Sequence, residues 1–297
     1  MFIRKYTLAE VRPCCDYEKN EKSWRFKACI IYNVRDGCFM KEYIVDNKTK
    51  MRYHDLPGED TPILFIHGLG CAGSFDYPEV AAQSDLIKHR RILVDLLGSG
   101  FSDKPDNYKY TVKEHANYLY NFVQDLKLNK FIIFGHSLGG AIALELADKC
   151  GENIETIILS ESNLDKSSKG SSSYEIGSYT EEDFVNSIFD KIINENSSES
   201  SMWKASLAVC SSTAISRISK SAVLGGETSW REILYSLNLK RTFVFGEKSL
   251  PDNDEIELRK HEINIEIVEG AGHSMAWENP KGLAKAIKKG ILYARRS

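Results

Sequence analysis

A four-residue apolar run, Phe131-Ile132-Ile133-Phe134, passes without a break into Gly135-His136-Ser137-Leu138-Gly139-Gly140. It continues into Ala141–Ala147, a segment apolar nearly all round. A run apolar on both faces suits a strand in the interior of a sheet, and a helix apolar on every side suits burial. Joining the two in so few residues demands a sharp turn centred on Ser137. The glycines on either side let strand and helix approach, while the serine itself takes up strained backbone. In a strand–turn–helix setting the spacing G-x-S-x-G lifts a serine hydroxyl above the carboxyl edge of the sheet, where open α/β sheets bind ligands.

The rest of the chain repeats the theme. Met40 to Val45 and Lys50 to His54 read as short strands joined by a turn over Asp46-Asn47-Lys48. Compact apolar runs follow at Pro62–Ile66, Arg91–Asp95, Thr156–Leu159, Thr242–Phe245 and Ile263–Val268. Between them, Val112, Ala116, Leu119, Val123 and Leu126 fall at helical spacing after Thr111, and Asn279-Pro280 opens a helix carrying Leu283, Ile287 and Ile291. Such alternation predicts an α/β fold with a mostly parallel central sheet flanked by helices. One stretch, from Asn163 to Leu239, holds no clean buried strand. It contains serine-rich tracts, but Phe184, Ile188, Ile192, Trp203, Leu207, Ile215, Ile218 and Trp230 are too apolar for a disordered linker. Residues 163–239 are therefore expected to form a helical cap inserted into a core made of residues 1–162 and 240–297. The first 38 residues are an N-terminal extension with no assignable role.

Charge and cysteine content narrow the function. A formal net charge of −3 leaves no basic footprint, which argues against a nucleic-acid partner. No apolar run is long enough to span a bilayer, and Met1-Phe2-Ile3-Arg4-Lys5-Tyr6 does not open a secretory leader. The seven cysteines are scattered, without metal-ligand spacing, as free thiols in a reducing cytoplasm would be. The expectation is a cytoplasmic monomer or homodimer acting on a small molecule, with no metal and no cofactor.

Two further signals sit at strand ends. His67-Gly68-Leu69-Gly70 follows the Pro62–Ile66 run, and its glycines permit close approach to the Ser137 turn. The backbone N–H groups of Leu69 and Leu138 are then candidates to converge on an oxyanion. Gly270-Ala271-Gly272-His273-Ser274 follows the last strand, so His273 arrives at the same sheet edge as Ser137, where a general base belongs. Trp203, Trp230 and Trp277 are candidates to line an acyl pocket, and Cys71 reads as a small packed thiol beside the oxyanion loop.

Taken in order, Phe65-Ile66-His67-Gly68, Asp95-Leu96-Leu97-Gly98-Ser99-Gly100-Phe101-Ser102, Gly135-His136-Ser137-Leu138-Gly139-Gly140 and Gly272-His273 resemble the α/β-hydrolase superfamily. The likeness is to its small esterases, C–C bond hydrolases and cofactorless haloperoxidase-like enzymes, and covers about residues 40–162 and 240–295. It implies Ser137 as nucleophile, His273 as base, and Leu69 and Leu138 as oxyanion donors. A serine at the turn sets the chain apart from relatives that use aspartate there, such as epoxide hydrolases and haloalkane dehalogenases. The resemblance also implies an acid in a G-x-x-D turn after Phe243–Phe245, yet the chain reads Gly246-Glu247-Lys248-Ser249. Glu161, at the end of the preceding strand, is the favoured replacement because a strand end is held rigidly. Asp252 and Asp254 are the alternatives. The reaction implied is acyl transfer from an ester, thioester or related carbonyl to water. Transfer to another acceptor, cofactorless perhydrolase or oxygenase chemistry, and low-turnover ligand binding are the rival readings.

Overall fold

The computed structural model describes residues 40–46, 48–195 and 201–296. The apolar runs become eight strands: β1 (Lys41–Ile44), β2 (Lys50–Leu56), β3 (Asp60–Ile66), β4 (His89–Asp95), β5 (Phe131–His136), β6 (Ile154–Ser160), β7 (Arg241–Gly246) and β8 (Asn264–Val268). They form one sheet in the order β1-β2-β4-β3-β5-β6-β7-β8. β1 and β2 run antiparallel to their neighbours, while β4 through β8 are parallel. The turn expected between β1 and β2 is held by Asp46, whose Oδ1 accepts the N–H groups of Lys48 and Thr49. Asn47 and the N-terminal extension lie outside the described residues.

Alternation along each strand divides the core into two layers. Leu64, Ile66, Ile133, Ile157 and Phe243 pack with Leu119, Phe122 and Val123 of the helix Val112–Asp125 and with the apolar helix Leu138–Cys150. Ile63, Phe65, Ile132, Phe134 and Val244 face the other way, onto Tyr77, Val80 and the helix Pro280–Ala294. Thr111 and Asn279 cap the outer helices as their sequences require, accepting from Glu114 N–H and Gly282 N–H. β8 departs from expectation. Its apolar run suggested an interior strand, but β8 is the sheet edge, with only Val268 buried and Ile267 exposed.

Between β6 and β7 the chain is helical: Ser172–Gly177, a stretch from Glu181 to Asn194 that includes a π turn, Ser201–Leu207, Ser212–Leu224 and Trp230–Ser236. The serines here have structural work. Ser171, Ser211 and Ser229 are N-caps, the last in a reciprocal capping box with Glu232. Ile176, Phe184, Phe189, Leu207, Cys210 and Ile215 form a small core of the insertion's own. Ala214, Ile218, Ala222, Trp230 and Ile233 instead join the main core. No helix among the described residues is long and apolar enough to cross a membrane.

Candidate active site

The turn between β5 and the helix Leu138–Cys150 places Ser137 at φ 51° and ψ −127°, a left-handed conformation rare outside glycine. Neighbouring glycines make room for it. A Cβ on Gly139 would run into the His67 carbonyl oxygen, and one on Gly140 into Ser162 Oγ. The Ser137 N–H donates to the Ser160 carbonyl (2.9 Å), which ties the turn to the end of β6.

His273, on the loop after β8, reaches across so that Nε2 lies 3.2 Å from Ser137 Oγ. Its other nitrogen, Nδ1, is 3.9 Å from Glu161 Oε2, an ion-pair separation longer than a direct hydrogen bond. The His273 side chain is 56% exposed and Glu161 only 11%, so the imidazole opens to the cleft while the carboxylate is held from behind. Glu161 follows β6 directly, also at positive φ (45°), with its N–H bonded to the Val244 carbonyl (3.1 Å). Burial works to raise its carboxyl. The His273 ring, the Gly246 N–H at 2.8 Å and the Ser249 hydroxyl outweigh that and hold it below the usual carboxylate range. Ser249 thus stands where the resemblance calls for an aspartate and faces the carboxylate on the neighbouring strand end. Nothing in the sequence pointed to this contact, because it crosses between two loops.

His136 packs beside the pair, its ring centroid 4.9 Å from that of His273 and its Nδ1 against the Ser160 carbonyl (3.1 Å). Burial, with His273 adjacent, pushes its pKa down to about 3, so the neighbour of His273 is a neutral ring.

The His67–Gly70 loop abuts the turn: a Cβ on Gly68 would lie 3.1 Å from the Ser137 Cβ. His67 fixes this loop, its Nε2 accepting from Leu96 N–H (3.0 Å) and its Nδ1–H donating to the Gly68 carbonyl (2.9 Å). Leu69 and Leu138 flank Ser137 in one cleft. Leu138 is the first residue of its helix, so its N–H has no intrahelical acceptor. Asp95 shapes the next loop, accepting from Ser74 N–H and Oγ and from Phe101 N–H at 2.8–2.9 Å.

The cleft above Ser137 has a volume of about 840 Å³. Trp203 and Trp277 line it, and Trp230 does not: Trp230 is buried in the core with its indole N–H on Glu145. Trp203 Nε1–H donates to the Leu69 carbonyl (2.8 Å), fastening the helical insertion to the loop beside Ser137. Asp252 and Asp254 also line the cleft, but one oxygen of each is engaged elsewhere. Asp252 Oδ1 caps its own helix at Asp254 N–H, and Asp254 Oδ1 takes Arg231 at 2.8 Å. Cys71 is buried and free, as are Cys150 and Cys210. Among the described residues no group of three or more His, Cys, Asp or Glu is placed to hold a metal ion.

Comparison with known proteins agrees with the fold. A probable lysophospholipase of Arabidopsis thaliana, BODYGUARD 3, is 37% identical over 102 residues, 33% of this chain and 20% of that protein. Haloalkane dehalogenase 2 of Mycobacterium tuberculosis is 29% identical over 122 residues, 41% of each chain. The alignments thus span less than half the length of these relatives. A thermophilic esterase from Thermogutta terrifontis, solved with malate bound, superposes with a TM-score of 0.69 at 17% identity, covering 86% of this chain and 98% of its own. The alpha/beta hydrolase fold profile matches residues 61–254, more than half of the chain, and the chain belongs to that family.

Proposed function

We propose that this chain is a serine hydrolase acting by acyl transfer on a small ester or thioester. Ser137 is the nucleophile, His273 the general base and Glu161 the acid that orients the base. The observation carrying this reading is the run of contacts from Ser137 Oγ to His273 Nε2 (3.2 Å) and from His273 Nδ1 to Glu161 (3.9 Å). His273 takes the Ser137 proton as Oγ bonds to the substrate carbonyl carbon. The oxygen that becomes negative is met by the N–H groups of Leu69 and Leu138, each such donor typically worth about 2.7–4 kcal/mol in the transition state. The leaving group departs with the proton from His273, and water, deprotonated by the same imidazole, releases the acid product. Protonated His273 draws towards Glu161, whose ionised carboxylate stabilises the imidazolium. The helical insertion at residues 163–239 acts as a cap over the cleft and governs what enters it. Free buried thiols suit a cytoplasmic setting.

Labelling with a fluorophosphonate probe, mapped by mass spectrometry, tests the assignment without knowledge of the substrate. Wild type is expected to label rapidly at Ser137, His273→Ala not at all on the same time scale, and Glu161→Gln slowly. Folded protein that does not label would overturn the reading and leave a ligand-binding protein on a hydrolase fold.

A further inference from the structure

The residues lining the cleft carry one sign of charge. Glu161, Asp252, Asp254 and Glu278 all contribute to its wall, and among the described residues no lysine or arginine lines it. Two of the four are partly neutralised from outside: Asp254 by Arg231 at 2.8 Å and Glu278 by Lys248 at 3.6 Å. Asp252 spends Oδ1 on its helix cap and is bonded to no cation among the described contacts. Much of the remaining wall is hydroxyl and amide, from Asn163 and a series of serines, instead of a long apolar tunnel. Trp203 and Trp277 complete the wall with two indole side chains.

We propose that this cleft selects short polar acyl groups bearing a cationic ammonium, accepts their neutral isosteres less well and rejects those bearing a carboxylate, with Asp252 as the specificity-determining residue. The inference rests on Ser137 being the nucleophile. A cleft lined by one sign of charge focuses its field on whatever enters, attracting the opposite sign and repelling its own. The tryptophan faces suit the same choice, because an ammonium is drawn to an indole ring. Rejection of anions is the repulsive half of the specificity, and it needs no contact beyond the carboxylates present.

Three aryl esters sharing one leaving group test the inference: 4-(trimethylammonio)butyrate, its neutral isostere 5,5-dimethylhexanoate, and the glutarate hemiester. In low salt, kcat/KM is expected to fall by about tenfold from cation to neutral and by about tenfold again to the anion. Added salt of roughly 0.5 M should compress both ratios. Asp252→Asn keeps a capping oxygen and should lower the cation-to-neutral ratio by at least about threefold. Equal rates for all three esters, a preference for the hemiester, or ratios indifferent to both salt and Asp252→Asn would each overturn it. Failure of the underlying assignment looks different: no ester is turned over and the fluorophosphonate leaves Ser137 unlabelled, and the inference falls with it.

Discussion

Ser249 is the residue whose place in the site is least like a surface serine. Its hydroxyl supports the Glu161 carboxylate from the position where related chains are expected to carry an acid, so the two strand ends after β6 and β7 hold a carboxylate and its donor. Three outcomes follow for kcat on any ester the protein turns over. Glu161→Gln should lower it by about 10³–10⁴-fold with KM little changed, since orientation of the imidazole is used only in the transition state. Ser249→Asp should lower it by about tenfold, because a second carboxylate beside Glu161 raises the pKa of the pair and disrupts its grip on His273. Combining them should recover much of the loss: Glu161→Gln with Ser249→Asp leaves one carboxylate within the same small region. A double variant no faster than Glu161→Gln would show that the turn after β7 cannot reach His273.

At the scale of elements, the bond from Trp203 Nε1–H to the Leu69 carbonyl joins the insertion to the loop that supplies one proposed oxyanion donor. Trp203→Phe keeps the ring and loses the donor. It should cost about 1 kcal/mol of stability in denaturant melts, and kcat should fall more than KM rises. Gly140→Ala should be worse for the fold, because the added methyl meets Ser162 where helix and strand end cross, and overpacking of this kind costs about 1–3 kcal/mol. These elements were legible in the sequence to unequal degrees. β3, β5 and β6 stand out because each is buried on both faces, which writes a continuous apolar run, and the caps at Thr111 and Asn279 are local chemistry. β8 was misjudged as interior because an apolar run does not say whether a second neighbour pairs with it. Trp203, Trp230 and Trp277 looked alike in sequence and went to different places, since a tryptophan's destination is set by packing between distant segments. The approach of Glu161 to His273 was foreshadowed by its position at a strand end; the Ser249 contact, between side chains 88 positions apart (249 − 161), was not.

For the molecule as a whole, buried neutral histidines make stability depend on pH. Burial pushes His115 and His136 down to about 3, whereas in the unfolded chain each titrates near ~6.5. Between those values the unfolded chain binds more protons than the folded one, so stability is full above the unfolded value and is lost as pH falls through the window. Each histidine removes up to ~1.4 kcal/mol per pH unit. The depressed Glu161 carboxyl acts in the same direction at lower pH, its contribution being lost as pH falls through its folded value. Thermal melts should therefore shift steadily downward from pH 7 to pH 4.5. His115→Gln should flatten that slope, and an unchanged slope would mean that His115 is already protonated in the fold. The acid proposed at the end of β6 has one more consequence. In a chain whose acid sits after β7, the loop there must conserve its path or lose the reaction. With Glu161 as the proposed acid, the segment from Leu250 to Lys260, beyond Gly246 and Ser249, is released from that duty while still bordering the cleft through Asp252 and Asp254. It is the natural place to graft foreign loops when redesigning what the cleft admits.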